Sequence, residues 1–242
     1  MKKLAITILI VLGLGYGAWT VLYPTTRLHA KITIDVETPE GLKTGSSVQE
    51  VVFSLEPCPL CNSGSPVLRR SVRGEAVAVD LGERGVLFAL LRGLNSPDPI
   101  APHVIMTALA KLKTNEEWAT AEVVRRLRHV SGRANVPTDL MFFLVRFRDI
   151  NDPNTVEQVI PNGLAASFGE GVKLTKATIE IVSSGLWPFS AFGLSGTPTT
   201  TGIEKRLVWL SALRARGGTL DGSRVSKSNE LSNSLGGGAF KW

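Results

Sequence analysis

The chain holds two cysteines, Cys58 and Cys61, in the stretch "VVFSLEPCPLCNSGSP" at residues 51–66. A Cys-x-x-Cys spacing serves three chemistries: thiol–disulfide exchange, half of a zinc site, or a short structural disulfide. Exchange of the thioredoxin kind needs the first thiol at the start of a helix, whose N-terminus lowers its pKa. Here Pro57 and Pro59 precede and split the pair and "NSGSP" follows Cys61, so no helix is predicted to open. Zinc needs two further ligands. The chain has no second cysteine pair, and its three histidines, His29 on a predicted strand, His103 at a helix start and His129 near a helix end, include no pair at the i, i+4 spacing of a helical zinc motif. No metal or cofactor is therefore expected. A disulfide between Cys58 and Cys61 would stiffen a turn and add little global stability, because closing so small a loop removes little chain entropy. Which of the three chemistries holds depends on the compartment.

Other catalytic patterns fall short. "KTG" at Lys43 to Gly45 is one element of the penicillin-binding enzymes, but no Ser-x-x-Lys nucleophile element accompanies it, and "GLSGT" at 193–197 is not a Gly-x-Ser-x-Gly elbow. Asp35, Glu37, Asp80, Asp149 and Asp152 lie near predicted strand ends, where solvated turns place carboxylates as readily as a glycosidase pair does, and nothing selects two of them. Two features could bind rather than react. "RRLRH" at Arg125 to His129 reads first as the solvated, dipole-complementing end of a helix, and second as a patch for lipid headgroups near a membrane, or for nucleic acid in a cytoplasmic protein. Trp187, Phe189 and Phe192 sit in a long loop; such a loop either folds back to cap the end of a sheet or forms a site that touches a partner or the membrane.

The start of the chain decides the compartment. Lys2 and Lys3 precede an uncharged run from Leu4 to Tyr23, about twenty residues, which is the length that spans a bilayer core as a helix. Tyr16, Trp19 and Tyr23 gather toward its far end, where amphipathic rings favour headgroups, and the lysine pair belongs on the cytoplasmic side. Gly15 and Gly17 would also suit cleavage of a signal peptide, but the apolar run continues past them to Leu22, which favours an anchor. Either way the body is exported, into the periplasm if the "MKK" start is bacterial, and an oxidising compartment makes the disulfide the expected state of the cysteine pair. The net charge of +6 permits attraction to polyanions, yet the basic residues are scattered and no phosphate-tracking tract points to nucleic acid.

The elements that must position these residues alternate between strand and helix signals. "RLHAKITIDVET" alternates apolar and polar from Arg27 to Thr38, "SVQEVVFSLE" alternates again, and "PEGLKTGSS" between them predicts a longish hairpin loop. "SVRGEAVAVDLG" and "GVLFALLRG" continue as strands. From about 98 to 132 the apolar spacing becomes helical, with a capping box predicted at Thr114 and Glu117 and a stop at Gly132. "TDLMFFLVRFRDI" is too apolar for a strand with one wet face and predicts a central strand. "VKLTKATIEIV" alternates with a slip near Lys176 that predicts a bulge, and Thr201 with Glu204 predicts the cap of a last helix. The Ser, Asn and Gly content after 222 predicts disorder. The expected architecture is an N-terminal membrane helix at 1–23, one α+β domain at 24–221 made of a mainly antiparallel sheet or sandwich with a helical insertion at about 98–132, and a disordered tail at 222–242.

The segments "TPEGLKTGSSVQEV", "RGEAVAVDLG", "RFRDINDPNTVEQV" and "TTGIEKRLVWL", which span most of the exported body, resemble those of a group of uncharacterised bacterial membrane-anchored or exported proteins. The resemblance implies a shared fold, in which Trp209 would fix the last helix on the sheet, and brings no established activity or catalytic residue. The expected function is a non-enzymatic, membrane-anchored envelope module presenting an interaction surface to an envelope partner. Two alternatives accompany it: an exported thiol–disulfide oxidoreductase using Cys58 and Cys61, and a basic module for anionic lipid or glycan.

Overall fold

The computed structural model describes residues 2–61, 64–94, 96–113, 118–186, 189–192, 194–220 and 235–242, with the backbone alone at 2–5, 97 and 191. Helix α1 (Lys2–Leu22) leads directly into strand β1 (Thr25–Thr38). In β1 the alternation of the sequence becomes a buried row, Leu28, Ala30, Ile32, Ile34 and Val36, against His29, Lys31, Thr33 and Asp35 on the other face. Each fully buried aliphatic side chain in that row contributes about 1.5–3 kcal/mol relative to exposure.

The predicted long loop after β1 is a two-residue turn at Pro39 and Glu40, because strand β2 (Gly41–Glu56) starts at once and pairs with β1 from Thr38↔Gly41 to Thr25↔Ser54. Gly45, which reads as turn punctuation, instead lies within β2 where the second sheet crosses closest. A Cβ there would meet the Ala78 backbone and lie 2.9 Å from Val79 Cγ2. Strand β3 (Val67–Arg73) pairs with β2. On the other side of β1 lies β10 (Lys173–Val182), whose register jumps from Asp35↔Lys176 to Val36↔Leu174, skipping Thr175; this is the bulge the alternation predicts. A short strand β7 (Arg133–Asn135) completes the antiparallel sheet β3-β2-β1-β10-β7.

The second sheet has the order β4-β5-β8-β9, formed by β4 (Val77–Asp80), β5 (Val86–Gly93), β8 (Phe142–Phe147) and β9 (Val156–Val159), with β6 (Ser96–Pro99) paired to β5. One of its faces packs on the buried row of β1 through Val77, Val79, Leu87, Ala89 and Leu91. The opposite face, with Phe88, Leu90, Phe143, Val145 and Phe147, is covered by α5 (Ile203–Arg206), α6 (Leu210–Ala215) and Phe240. Strand β8 is thus buried on both faces, as its composition predicts. The fold is α+β: two antiparallel sheets stacked as a sandwich, with a third layer of C-terminal helices.

The helical insertion consists of α2 (Ala101–Val104), continuing as a π-helix at Ile105–Leu109, and α3 (Ala121–Leu127). The predicted capping box at Thr114 and Glu117 lies outside the described residues. Thr120 is the N-cap of α3, its Oγ1 accepting from Val123 N at 3.2 Å. Beyond α4 (Leu164–Phe168), the predicted last helix is split at Leu207 into α5 and α6. The tail expectation fails at 235–242: Leu235 and Phe240 are fully buried, and Phe240 O and Trp242 N and O bond the backbone at Gly74 and Ala76. Its few apolar residues suffice because each lands in the second core; residues 222–234 of that expectation lie outside the described residues. Among the described residues no helix is long and apolar enough to cross a membrane. The side chains of α1 are described from Ile6 onward, and those from Ile6 to Leu22 are exposed apart from a half-buried Gly17, so this helix is not packed into either core.

Candidate functional site

Strand direction determines which loops meet. At the end of the first sheet where β1 begins, β2 ends, since Thr25 pairs with Ser54, and the loop carrying Cys58 and Cys61 follows. Strand β10 also ends there, since His29 pairs with Val182, and the aromatic loop follows. The segment entering β7 arrives at the same end: Ile181 N donates to Gly132 O at 3.0 Å. Helix α3 joins them, with Thr26 Oγ1 donating to Val124 O at 2.7 Å and Arg125 Nη2 donating to Val21 O at 2.8 Å. That last bond places an arginine on an end carbonyl of α1, where a cation is favoured by the helix dipole.

Cys58 and Cys61 form a disulfide with Cα atoms 5.3 Å apart. The pair sits in a turn closed by Cys61 N on Cys58 O at 3.1 Å, with no helix following among the described residues. The side chain between the sulfurs, Leu60, is 95 % exposed. Of the aromatic loop, Phe189 and Phe192 are exposed, at 56 % and 75 %, while Trp187 lies outside the described residues. Leu186 and Leu194 join them as exposed apolar side chains that sequence reasoning missed. The loop is closed at its base: Thr197 N donates to Ser183 O at 2.7 Å, and Leu186 N to Ser195 Oγ at 3.0 Å. Gly185 (φ 77°) and Gly196 (φ 79°) face each other across this neck, where a Cβ on either would strike the opposite backbone. The two glycines flanking an apolar stretch were the available signal. Leu186, Phe189, Phe192 and Leu194 are thus exposed beyond a closed neck.

The basic cluster lies on α3, at the same end of the first sheet. Arg125, Arg126, Arg128 and His129 are exposed; Arg126 donates to Ala110 O at 3.0 Å, whereas Arg128 has no ion-pair partner among the described residues. The other two histidines are occupied. His29 Nδ1 lies 2.7 Å from Thr197 O, and His103 Nε2 meets the Arg70 guanidinium under the edge of Trp118. Burial, and then the Arg70 charge, push His103 below the usual histidine range. The carboxylates singled out by sequence do not converge. Asp35 accepts from Thr44, Glu37 pairs with Lys173, Asp80 accepts from Gly82 N and Arg206, and Asp149 and Asp152 close their own turn. Among the described residues no three His, Cys, Asp or Glu side chains could hold a metal ion.

No protein family, no curated protein and no solved structure matches the chain. The site must therefore be read from its own chemistry. One further polar cluster invites a catalytic reading, around the buried Glu75 at a cleft of about 380 Å³ lined by Ser46, Thr200, Thr201, Lys205 and Arg206. Glu75 Oε2 accepts from Ile203 N at 2.7 Å, and its Oε1 lies 3.3 Å from Lys241 Nζ, which also bonds Glu204 at 3.0 Å. Glu75 thus caps α5 in place of the predicted Thr201 and ties the C-terminal segment at Lys241 to the helices. The hydrogen bond from Lys241 holds Glu204 below the usual carboxylate range. The cluster is a clasp in which one Glu75 oxygen accepts from the α5 backbone and the other, without a hydrogen bond of its own, lies beside the Lys241 ammonium.

Proposed function

We propose that the protein is a membrane-tethered envelope module: α1 spans the inner membrane with Lys2 and Lys3 inside, and the α+β body stands in the periplasm as an interaction module without catalytic chemistry. The observation that carries the reading is the contrast between α1 and the body. Among the described residues α2 to α6 each bury at least one apolar side chain, whereas α1 exposes Ile8, Leu9, Ile10, Val11, Leu12, Leu14, Val21 and Leu22. Its uncharged part, Leu4 to Leu22, reaches about 28 Å at about 1.5 Å per residue, close to the hydrocarbon core of about 30 Å. The disulfide fits an oxidising compartment. Its place in a proline-bounded turn fits a stiffener better than an exchanging thiol pair. The interaction surface is the apolar loop end built above.

Protease added to spheroplasts tests the topology. The reading expects the body to be digested there and protected in inverted vesicles; protection in spheroplasts would overturn it. Mass measurement of the purified chain supplies the second arm. A mature form beginning after Gly17 would replace the tether with a cleaved signal peptide and overturn the anchor while leaving export intact.

A further inference from the structure

We infer that the exposed side chains of Leu186, Phe189, Phe192 and Leu194, together with Leu60 and the guanidinium groups of Arg125 and Arg128, form a second membrane contact, seating the body on an anionic lipid surface beside the exit of α1. The inference rests on the anchor reading and names the partner of its interaction surface. Depth is the first argument. Arg125 bonds the carbonyl of Val21, two residues before Tyr23, so α3 stands at whatever level the end of α1 occupies. Trp19 and Tyr23 stack at 4.7 Å in that last turn, a pair suited to the headgroup layer. Arg125 and Arg128 then lie among headgroups, where cations are attracted by anionic lipid.

The strand register extends this ruler. Val182 pairs with His29, four residues inside the start of β1 at Thr25. A rise of about 3.3 Å per residue puts that start about 13 Å beyond Val182. Leu186 is four residues further along from Val182, so a chain that continues in the strand direction can bring it back at most to the level of Thr25. On the other side, Ser54 is level with Thr25, so the turn carrying Leu60 also extends toward α1. Apolar tips flank a basic patch around a helix exit, which is the composition of an interfacial contact, and rigid necks hold them there. The disulfide braces one tip and the Gly185–Gly196 neck the other. The tether already confines the body to the membrane, so even a weak contact becomes largely occupied.

The molecule contains its own control. Leu42 is also an exposed leucine, 62 % accessible, but it stands at the opposite end of β1 and β2. The full chain, with Cys58 and Cys61 left paired, would carry an environment-sensitive fluorophore at Phe192→Cys, at Leu42→Cys, or at Leu12→Cys within α1. It would be reconstituted into phosphatidylcholine vesicles with or without phosphatidylglycerol, and challenged with nitroxide lipids. The inference expects the label at 192 to shift blue and lose most of its emission to shallow nitroxides, more so with phosphatidylglycerol, while the label at 42 keeps its emission. Arg128→Glu should remove the phosphatidylglycerol-dependent part, and Leu194→Cys should repeat the result at 192. Quenching at 12 without quenching at 192 or 194 overturns the seating alone; no quenching at 12 overturns the anchor itself. A label at 192 that shifts blue but resists nitroxide lipids reports a protein partner, such as a second copy, and also overturns the lipid assignment.

Discussion

Single residues carry specific duties in this body, and two of them are testable without reference to function. Gly45 is fixed by sheet-to-sheet distance, since the atoms a methyl group would meet include the backbone of β4, which cannot rotate away. Gly45→Ala should therefore cost about 1–3 kcal/mol as an overpacking change, read as a lower urea midpoint; an unchanged midpoint would mean that the sheets approach less closely. Glu40 shows the effect of charge. Two hydrogen bonds from Arg84, at 2.8 and 3.1 Å, hold its carboxyl down to about 2 from an ordinary 4.5. A depressed carboxylate stabilises fully above its unfolded value and loses that contribution as pH falls through the folded one, so this contact is lost between pH 4.5 and about 2. Both groups face solvent, so the effect is small. Glu40→Gln should flatten the acid limb of stability against pH, and parallel curves for the two proteins would contradict the assignment.

At the scale of elements, what the sequence reveals depends on whether the controlling force is local. The alternation of β1, the apolar run of β8 and the slip that becomes the β10 bulge are properties of a strand and its own two faces, and they read correctly from residue types. Trp209 acts as the expected anchor of the last helix, its Nε1 donating to Ile150 O at 2.9 Å while the ring packs 5.3 Å from Phe147. The errors arise where a distant element decides. Glu75 caps α5 from 128 residues away, so the local Thr201 pattern misleads. Similarly, the pairing of 240–242 with Gly74 and Ala76 orders a stretch whose composition predicts disorder. For the proposed interaction surface, Phe189 and Phe192 were legible as loop aromatics and the cysteines as a pair, but the meeting of their two loops at one sheet end required the register. The disulfide belongs to this scale too. Replacing both cysteines by serine should cost less than about 3 kcal/mol, the figure for a 15-residue loop, while speeding proteolysis between 57 and 66. A larger loss in thermal unfolding would show that the turn braces more than itself.

For the whole molecule, the two cores are linked through the shared second sheet, and the C-terminal segment 235–242 closes the outer one. Phe240 packs edge-on against Phe88 at 6.3 Å and Trp209 at 6.0 Å with no solvent exposure. Phe240→Ala should cost about 3–5 kcal/mol and release α5 and α6 to hydrogen exchange before the first sheet; uniform exchange across both layers would mean that the cores unfold as one. None of this packing involves the exposed apolar surface of α1, and this separation is the basis for treating α1 as a tether. The most direct test is extraction of native membranes with alkaline carbonate. The account predicts that the full chain stays in the membrane pellet while a chain lacking residues 2–22 is no longer retained there. Recovery of the full chain in the carbonate supernatant would contradict it.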